Sequence, residues 1–144
     1  MALTAITLLC FAALLPFPGL GGHDDHSGEH MGILTDIPVK VTVTNKFANT
    51  KISYPDTVVT AGTPMFGVLN KLKDNSSFNF TYTINKSFGI YLESVNGLAG
   101  SNENHTYWEL LSKKGNSISR LNVGIGCYQP KKNENFIMNF TTWD

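Results

Sequence analysis

The chain has 144 residues and a formal net charge of zero, because 11 Lys and Arg residues balance 11 Asp and Glu residues. This length suits one domain once a leader is subtracted, and the scattered basic residues form no positive stripe of the kind that binds nucleic acid. We therefore expect a single domain whose partner is uncharged or small, and no nucleic-acid partner.

The first 22 residues are typical of a secretory leader. Residues 5–15 are almost wholly apolar, and Pro16, Pro18 and a glycine-rich stretch precede the first charge at Asp24. The apolar run is shorter than the roughly 20 residues that span a bilayer, but it fits the hydrophobic part of a signal peptide. A membrane anchor is the alternative. We predict a signal peptide over 1–22, a secreted, extracellular protein and no membrane attachment after cleavage.

The two cysteines fall on opposite sides of this predicted cleavage point. Cys10 would leave with the leader, so Cys127 would be the only mature cysteine and no intramolecular disulfide could form. A lone thiol in a secreted protein can pair with another molecule, or it can be a small buried apolar side chain. The second reading is favoured.

Residues 23–37 are predicted to be a flexible tail rich in His and Asp. Residues 23–30 hold three His and three carboxylates, and such groups together can bind zinc or copper. The spacing fits no closed site, and ordering a flexible segment costs about 1 to 2 kcal/mol per residue. We therefore predict a solvated tail and no metal site.

Residues 38–144 are predicted to form one α+β domain, mostly β, in which about seven strands carry one helix packed on a sheet. β-branched runs and the alternation of apolar and polar residues mark the strands. The predicted strands cover 39–44, 52–54, 57–60, 78–85, 88–95, 107–112 and 136–141. Asn96-Gly97 is a strong hairpin signal, and 113–117 is predicted to be an exposed tip.

One helix is predicted, beginning near Thr63 and about ten residues long. Thr63 can cap it, and Pro64 suits the first helical position. A single apolar stripe follows at positions i, i+3, i+4 and i+7, formed by Met65, Val68, Leu69 and Leu72.

Five Asn-x-Ser/Thr sequons occur in this short chain, and a secretory leader would make glycosylation of some of them expected. They are Asn75, Asn79, Asn85, Asn104 and Asn139. On the predicted strand 78–85, Asn79 and Asn85 fall on the polar side, opposite Phe78, Phe80, Tyr82 and Ile84.

Several ordered blocks resemble a known family. Ser94-Val95-Asn96-Gly97 is followed by Tyr107-Trp108-Glu109-Leu110-Leu111-Ser112, then by Gly124-Ile125, two further residues and Tyr128-Gln129-Pro130, before the strand at 136–143. The order and spacing resemble the C-terminal β domain of the cobalamin carriers, namely intrinsic factor, transcobalamin and haptocorrin. The resemblance covers about 39–144 and implies a transcobalamin-like β domain.

The resemblance implies a secreted protein that binds and transports vitamin B12, and with it cobalt. In this family a helical barrel and the β domain close around the corrinoid, with the β domain as a lid. No stretch of this sequence corresponds to the barrel, so we expect a separate barrel protein or a second copy of the chain to supply the other wall. A cell-surface receptor is a further expected partner.

By the same resemblance, two segments of the lid touch cobalamin. The expected contacts are Ser87, Phe88, Gly89, Ile90, Tyr91, Leu92, Trp108, Glu109, Leu110, Leu111, Ser112 and Lys113. Phe88 and Trp108 are expected to be exposed platforms, Gly89 would allow close backbone approach, and Leu92 and Leu110 are equally well explained as core residues.

The alternative function is a secreted interaction or signalling domain that kept the fold but does not bind cobalamin. An enzyme is disfavoured because His105 is the only histidine beyond the tail and no nucleophile elbow or paired-carboxylate motif accompanies it. We expect no catalytic residue and no catalytic cofactor.

Overall fold

The computed structural model describes residues 35–86 and 89–144. The predicted leader and most of the predicted tail lie outside these ranges, as do Ser87 and Phe88. The described residues form nine strands and one helix: β1 (Asp36–Asn45), β2 (Thr50–Ser53), β3 (Thr57–Thr60), α1 (Met65–Asn75), β4 (Phe80–Asn85), β5 (Gly89–Val95), β6 (Leu98–Ala99), β7 (Thr106–Lys114), β8 (Ser117–Arg120) and β9 (Asn135–Thr142). The mostly β, α+β architecture predicted from the sequence is confirmed.

The larger sheet has the strand order β2-β1-β9-β7-β8, with β3 also paired to β1. β1 and β9 are parallel, with Val41 opposite Phe136, and β7 is antiparallel to β9. The Tyr54 N–H donates to the Val41 carbonyl at 3.0 Å, so the chain between β2 and β3 stays on β1. The parallel pair therefore joins the two ends of the described domain, and β1 begins two residues before the predicted boundary at 38.

The smaller sheet is an antiparallel meander, β4-β5-β6. The turn between β5 and β6 is Asn96-Gly97, and both residues have positive φ, 50° and 85°. A two-residue hairpin of the primed type requires this conformation at both central positions. The predicted hairpin is confirmed.

Helix α1 buries the apolar stripe that its spacing predicts, Met65, Val68, Leu69 and Leu72. These side chains join one core cluster with Val39 and Val41 of β1, Phe136 and Met138 of β9, Phe80 of β4, and Phe78, which precedes β4. The predicted cap is wrong. Pro64 occupies the N-cap position, and the Thr63 hydroxyl instead donates to the Thr60 carbonyl at 2.6 Å.

The predicted alternation along 78–85 holds for only half of its length. Phe78 and Phe80 are buried, but Tyr82 is 40% exposed and Ile84 is 73% exposed. Thr81 is opposite Ser94 and Tyr82 is opposite Leu92, so Glu93 of β5 is the extra residue of a bulge. Side chains along β4 still alternate, and the outer half of the strand presents apolar side chains to solvent. Asn79 and Asn85 are exposed as expected.

Candidate functional site

The first predicted binding segment lies at the start of β5. Ser87 and Phe88 fall outside the described residues, and Gly89 is exposed with a φ of 78°. Ile90 is half-buried and Leu92 is buried, whereas Tyr91 is 53% exposed. Because side chains alternate along a strand, Ile90 and Leu92 share one face and Tyr91 occupies the other.

Ile90 lies directly against two glycines of the chain between β8 and β9. A Cβ built at Gly126 would lie 3.2 Å from Ile90 Cδ1, and one at Gly124 would lie 3.1 Å from the Ile90 carbonyl oxygen. Both distances are tighter than most Cβ contacts, so a larger residue at either position would require Ile90 to shift. Ile90 thus packs directly on the two glycines, which we call the glycine seat of Ile90.

The second predicted segment, in β7, is divided between the two faces of the larger sheet. Trp108 and Ser112 are buried and Leu110 is half-buried against the core, so these three alternate on the inner face. Glu109 lies on the opposite face, where it accepts a hydrogen bond from Asn139 Nδ2 at 3.1 Å. Leu111 and Lys113 alternate with it and share that face.

Trp108 is a core residue, and the expectation of an exposed platform is wrong. Its side chain is 8% exposed. The indole N–H donates to the Leu98 carbonyl at 2.9 Å, and the ring centroid lies 5.0 Å from that of Phe140. The turn that places β6 beside β7 covers the ring. The residues that flank Trp108 in the sequence do not indicate this contact.

Leu110 connects β7 to the chain that seats Ile90. Its carbonyl accepts a hydrogen bond from the Leu121 N–H at 2.9 Å. We call residues 121–128 the linking segment, because they run from this contact to Gly124 and Gly126 beneath Ile90. β5 and β7 also contact one another. The two predicted binding segments are therefore brought together by a third segment that sequence reasoning did not include.

The linking segment is also hydrogen-bonded to the start of α1. The Phe66 N–H donates to the Ile125 carbonyl at 2.9 Å, and the Met65 N–H donates to the Tyr128 carbonyl at 2.7 Å. The first N–H groups of a helix have no partner within the helix, so these two contacts satisfy them. Helix α1 thereby fixes the position of the seat.

Around this junction lies a band of apolar side chains that the core only partly covers. Ile84 is the cross-strand partner of Ile90, and the Tyr82 ring lies 4.8 Å from the Phe66 ring. We call the band the apolar rim; its members are Phe66, Tyr82, Ile84, Ile90, Leu110 and Leu121. Phe66, Tyr82, Ile84 and Leu121 are absent from the predicted site. The glycine spacing at 124–126 was the available signal for the linking segment, and no local signal distinguished the exposed Tyr82 and Ile84 from the buried Phe80.

A buried carboxylate lies behind the rim. Glu134 is 0% exposed. Its Oε2 accepts hydrogen bonds from the Ser112 hydroxyl at 2.7 Å and the Tyr128 hydroxyl at 2.5 Å, and its Oε1 accepts one from the Lys131 N–H at 2.8 Å. Burial and then the hydrogen bond to Glu134 raise the pKa of Tyr128 to about 12. The Ser112 hydroxyl is therefore occupied by a hydrogen bond within the protein.

Cys127 is disulfide-bonded, which corrects the expectation of a small buried thiol. The other cysteine of the sequence, Cys10, lies outside the described residues. Within 35–86 and 89–144, no group of three or more His, Cys, Asp or Glu side chains could hold a metal ion. In the same ranges no helix is long and apolar enough to cross a membrane.

No protein-family model matches the sequence. The chain is 30% identical over 113 residues to cobalamin binding intrinsic factor of Canis lupus familiaris and 28% identical to that of Homo sapiens, matching 76% of this chain and 26% of each relative. A crystal structure of haptocorrin in complex with Cbi matches 78% of this chain and 26% of that chain, with a TM-score of 0.66 and 28% identity. This chain carries the C-terminal β domain of the cobalamin carriers.

The carrier β domain makes up a small part of those relatives, since the chain spans 26% of the length of the curated proteins it matches. A crystal structure from Ruminococcus gnavus ATCC 29149 shares the fold at 10% identity and a TM-score of 0.57, and the match covers 99% of that chain. The same fold thus accounts for nearly all of one crystallised chain.

Proposed function

We propose that this carrier β domain binds a corrinoid, cobalamin or a close relative, on the apolar rim. The observation that carries the proposal is the meeting of the two binding segments, around Ile90 and Leu110, through the linking segment. Intrinsic factor, a relative of this chain, is named for cobalamin binding, and the related haptocorrin structure contains Cbi. Both supports point to the same ligand class.

Exposure and strand face together decide which predicted residues are retained as contacts. Ile90 and Leu110 belong to the rim, whose most exposed member is Ile84, and Gly89 directly precedes Ile90. Tyr91 lies on the opposite face of β5 and is not retained. Ser87 and Phe88 immediately precede Gly89 and remain predicted contacts. Leu92, Trp108 and Ser112 form the wall behind the rim, whereas Glu109, Leu111 and Lys113 lie on the far face of the larger sheet and are not proposed to touch the ligand.

A single apolar wall supports only weak binding. If the corrin covers about 250 Å² of apolar rim, the gain is ~6 kcal/mol at ~25 cal/mol per Å². Association alone costs roughly 4 to 15 kcal/mol. We therefore propose that tight binding requires a second wall, from a helical barrel or from a second copy of this chain, and that the domain by itself binds in the micromolar range or more weakly.

The same proposal includes secretion, glycosylation and a transport role without catalysis. It is supported by the leader-like residues 1–22, by the five sequons and by relatives that are carriers. Binding to a cell-surface receptor would follow from such a role.

Calorimetric titration of the domain with dicyanocobinamide tests the proposal, with Ile84→Asp beside Ile118→Asp. Both isoleucines are exposed strand residues, 73% and 56%, but Ile118 lies on β8, outside the rim. A desolvated charge beneath the corrin is expected to weaken binding at least tenfold in Ile84→Asp and to leave Ile118→Asp within about twofold of the wild type. Equal affinity in all three proteins would contradict the rim, and absence of any binding by the wild type would favour the protein-interaction alternative.

A further inference from the structure

The buried Glu134 carboxylate is the most unusual polar group among the described residues. It is wholly buried, and burying an ionised carboxylate is costly unless hydrogen bonds replace its water. Three donors meet that requirement: the Ser112 hydroxyl on β7, and the Tyr128 hydroxyl and the Lys131 N–H, which lie six and three residues before Glu134. One side chain thus joins β7 to the end of the linking segment and to the turn before β9.

Two of these donors belong to elements that carry rim residues, β7 and the linking segment. Ser112 lies on β7 two residues after Leu110, on the same face. Tyr128 ends the linking segment, and its carbonyl accepts the Met65 N–H at the start of α1. Lys131 belongs to the turn before β9 and fixes the second carboxylate oxygen. A continuous path therefore runs from the carboxylate through Tyr128 and the linking segment to the glycine seat of Ile90.

We propose that Glu134 is a positioning residue for the corrinoid surface. Its hydrogen bonds to Ser112 and Tyr128 set the separation between Leu110 on β7 and Ile90 on β5. The carboxylate does not touch the ligand and acts through the linking segment. The ligand-binding part of this inference rests on the proposed function, and the geometric part does not.

Two substitutions of Glu134 distinguish the loss of its hydrogen bonds from the loss of its carboxylate group. In Glu134→Ala, the Ser112 and Tyr128 hydroxyls lose their acceptor, and the linking segment is expected to shift. In Glu134→Gln, the amide can donate to both hydroxyls and accept from Lys131, because hydroxyl groups serve as donors or acceptors. We expect Glu134→Ala to weaken dicyanocobinamide binding at least tenfold and Glu134→Gln to stay within about threefold of the wild type.

A second pair of variants covers the case in which Glu134→Ala does not fold. Tyr128→Phe removes one donor from the network. Tyr54→Phe is its matched control, because Tyr54 is a buried tyrosine whose hydroxyl accepts from Asn96 Nδ2 at 3.0 Å, outside the network. Weaker binding in Tyr128→Phe than in Tyr54→Phe is expected, and equal binding would overturn the proposal.

Amide hydrogen exchange provides a readout that needs no ligand. Faster exchange is expected in Glu134→Ala and Tyr128→Phe at two amides: that of Leu121, which bonds the start of the linking segment to Leu110, and that of Phe66, which bonds α1 to Ile125 within the segment. The Trp143 N–H, which donates to the His105 carbonyl at 2.9 Å, is expected to exchange at the wild-type rate. Uniform acceleration at all three amides would show a purely structural role and overturn the proposal.

The two readouts distinguish the failure of this inference from the failure of the proposed function. If the wild type does not bind dicyanocobinamide, the proposed function fails, and selective exchange at Leu121 and Phe66, restored in Glu134→Gln, still decides the geometric part. If the wild type binds and a folded Glu134→Ala variant binds equally well, the positioning role is overturned while the proposed function stands.

Discussion

Tyr128 is expected to make the unfolding free energy of the domain fall as the pH rises in the alkaline range. Its pKa is raised from an ordinary value near 10 to about 12 in the folded state, first by burial and then by the hydrogen bond to Glu134. Because the folded pKa exceeds the unfolded one, this stabilisation is complete below pH 10 and is lost as the pH rises through 12. We expect the unfolding free energy from urea titrations to fall more steeply between pH 10 and 12 in the wild type than in Tyr128→Phe. Parallel curves would contradict this assignment.

Asn139 is the sequon least suited to carry a glycan. Its Oδ1 accepts the Thr44 hydroxyl at 2.7 Å and its Nδ2 donates to Glu109 at 3.1 Å, in a central strand where the side chain is half-buried. Asn75, Asn79 and Asn104 are exposed. Glycopeptide mass spectrometry of the secreted protein is expected to find Asn139 unmodified while at least one exposed sequon is occupied. Full occupancy at Asn139 would show that this polar network does not form in the glycosylated protein.

Individual residues show which features of the fold the sequence predicts and which it does not. The apolar spacing of Met65, Val68, Leu69 and Leu72 predicts their burial, because helix geometry alone places them on one face. The surroundings of Trp108 depend instead on Leu98, ten residues before it on β6, and on Phe140 of β9. Bulk and position beside polar residues could not distinguish an exposed ring from one covered by such distant contacts.

At the scale of elements, local signals predict the helix and the Asn96-Gly97 hairpin, but the linking segment is defined by contacts across the fold. It touches β5, β7 and α1, which precede it by many residues. The bulge at Thr81 and Tyr82 likewise follows from the pairing of two strands. The sequence therefore left the linking segment, Tyr82 and Ile84 out of the candidate site, and the predicted contact residues stay a prediction.

Gly126 provides a test of the seat beneath Ile90. Its Cβ position lies 3.2 to 3.4 Å from three Ile90 side-chain atoms, tighter than most Cβ contacts, so the added methyl groups of Gly126→Val are expected to displace Ile90. We expect dicyanocobinamide affinity to fall at least tenfold, while circular dichroism shows a folded domain. Unchanged affinity would mean that Ile90 does not form part of the binding surface.

At the scale of the whole molecule, the parallel pairing of β1 with β9 joins the first and last strands of the described domain. Local periodicity predicts that both strands exist, and it is silent on their order in the sheet. The resemblance to the cobalamin carriers supplied the architecture as an expectation, and the haptocorrin match confirms it at the level of the fold.

Chemical-shift mapping of the ¹⁵N-labelled domain during titration with dicyanocobinamide tests the central claim most directly. We expect saturable chemical-shift changes at the amides of 89–92 and 121–128, with little change at Glu109 and Arg120 on the far face of the larger sheet. Changes confined to that far face, or no changes at millimolar ligand, would contradict the claim that the apolar rim binds a corrinoid.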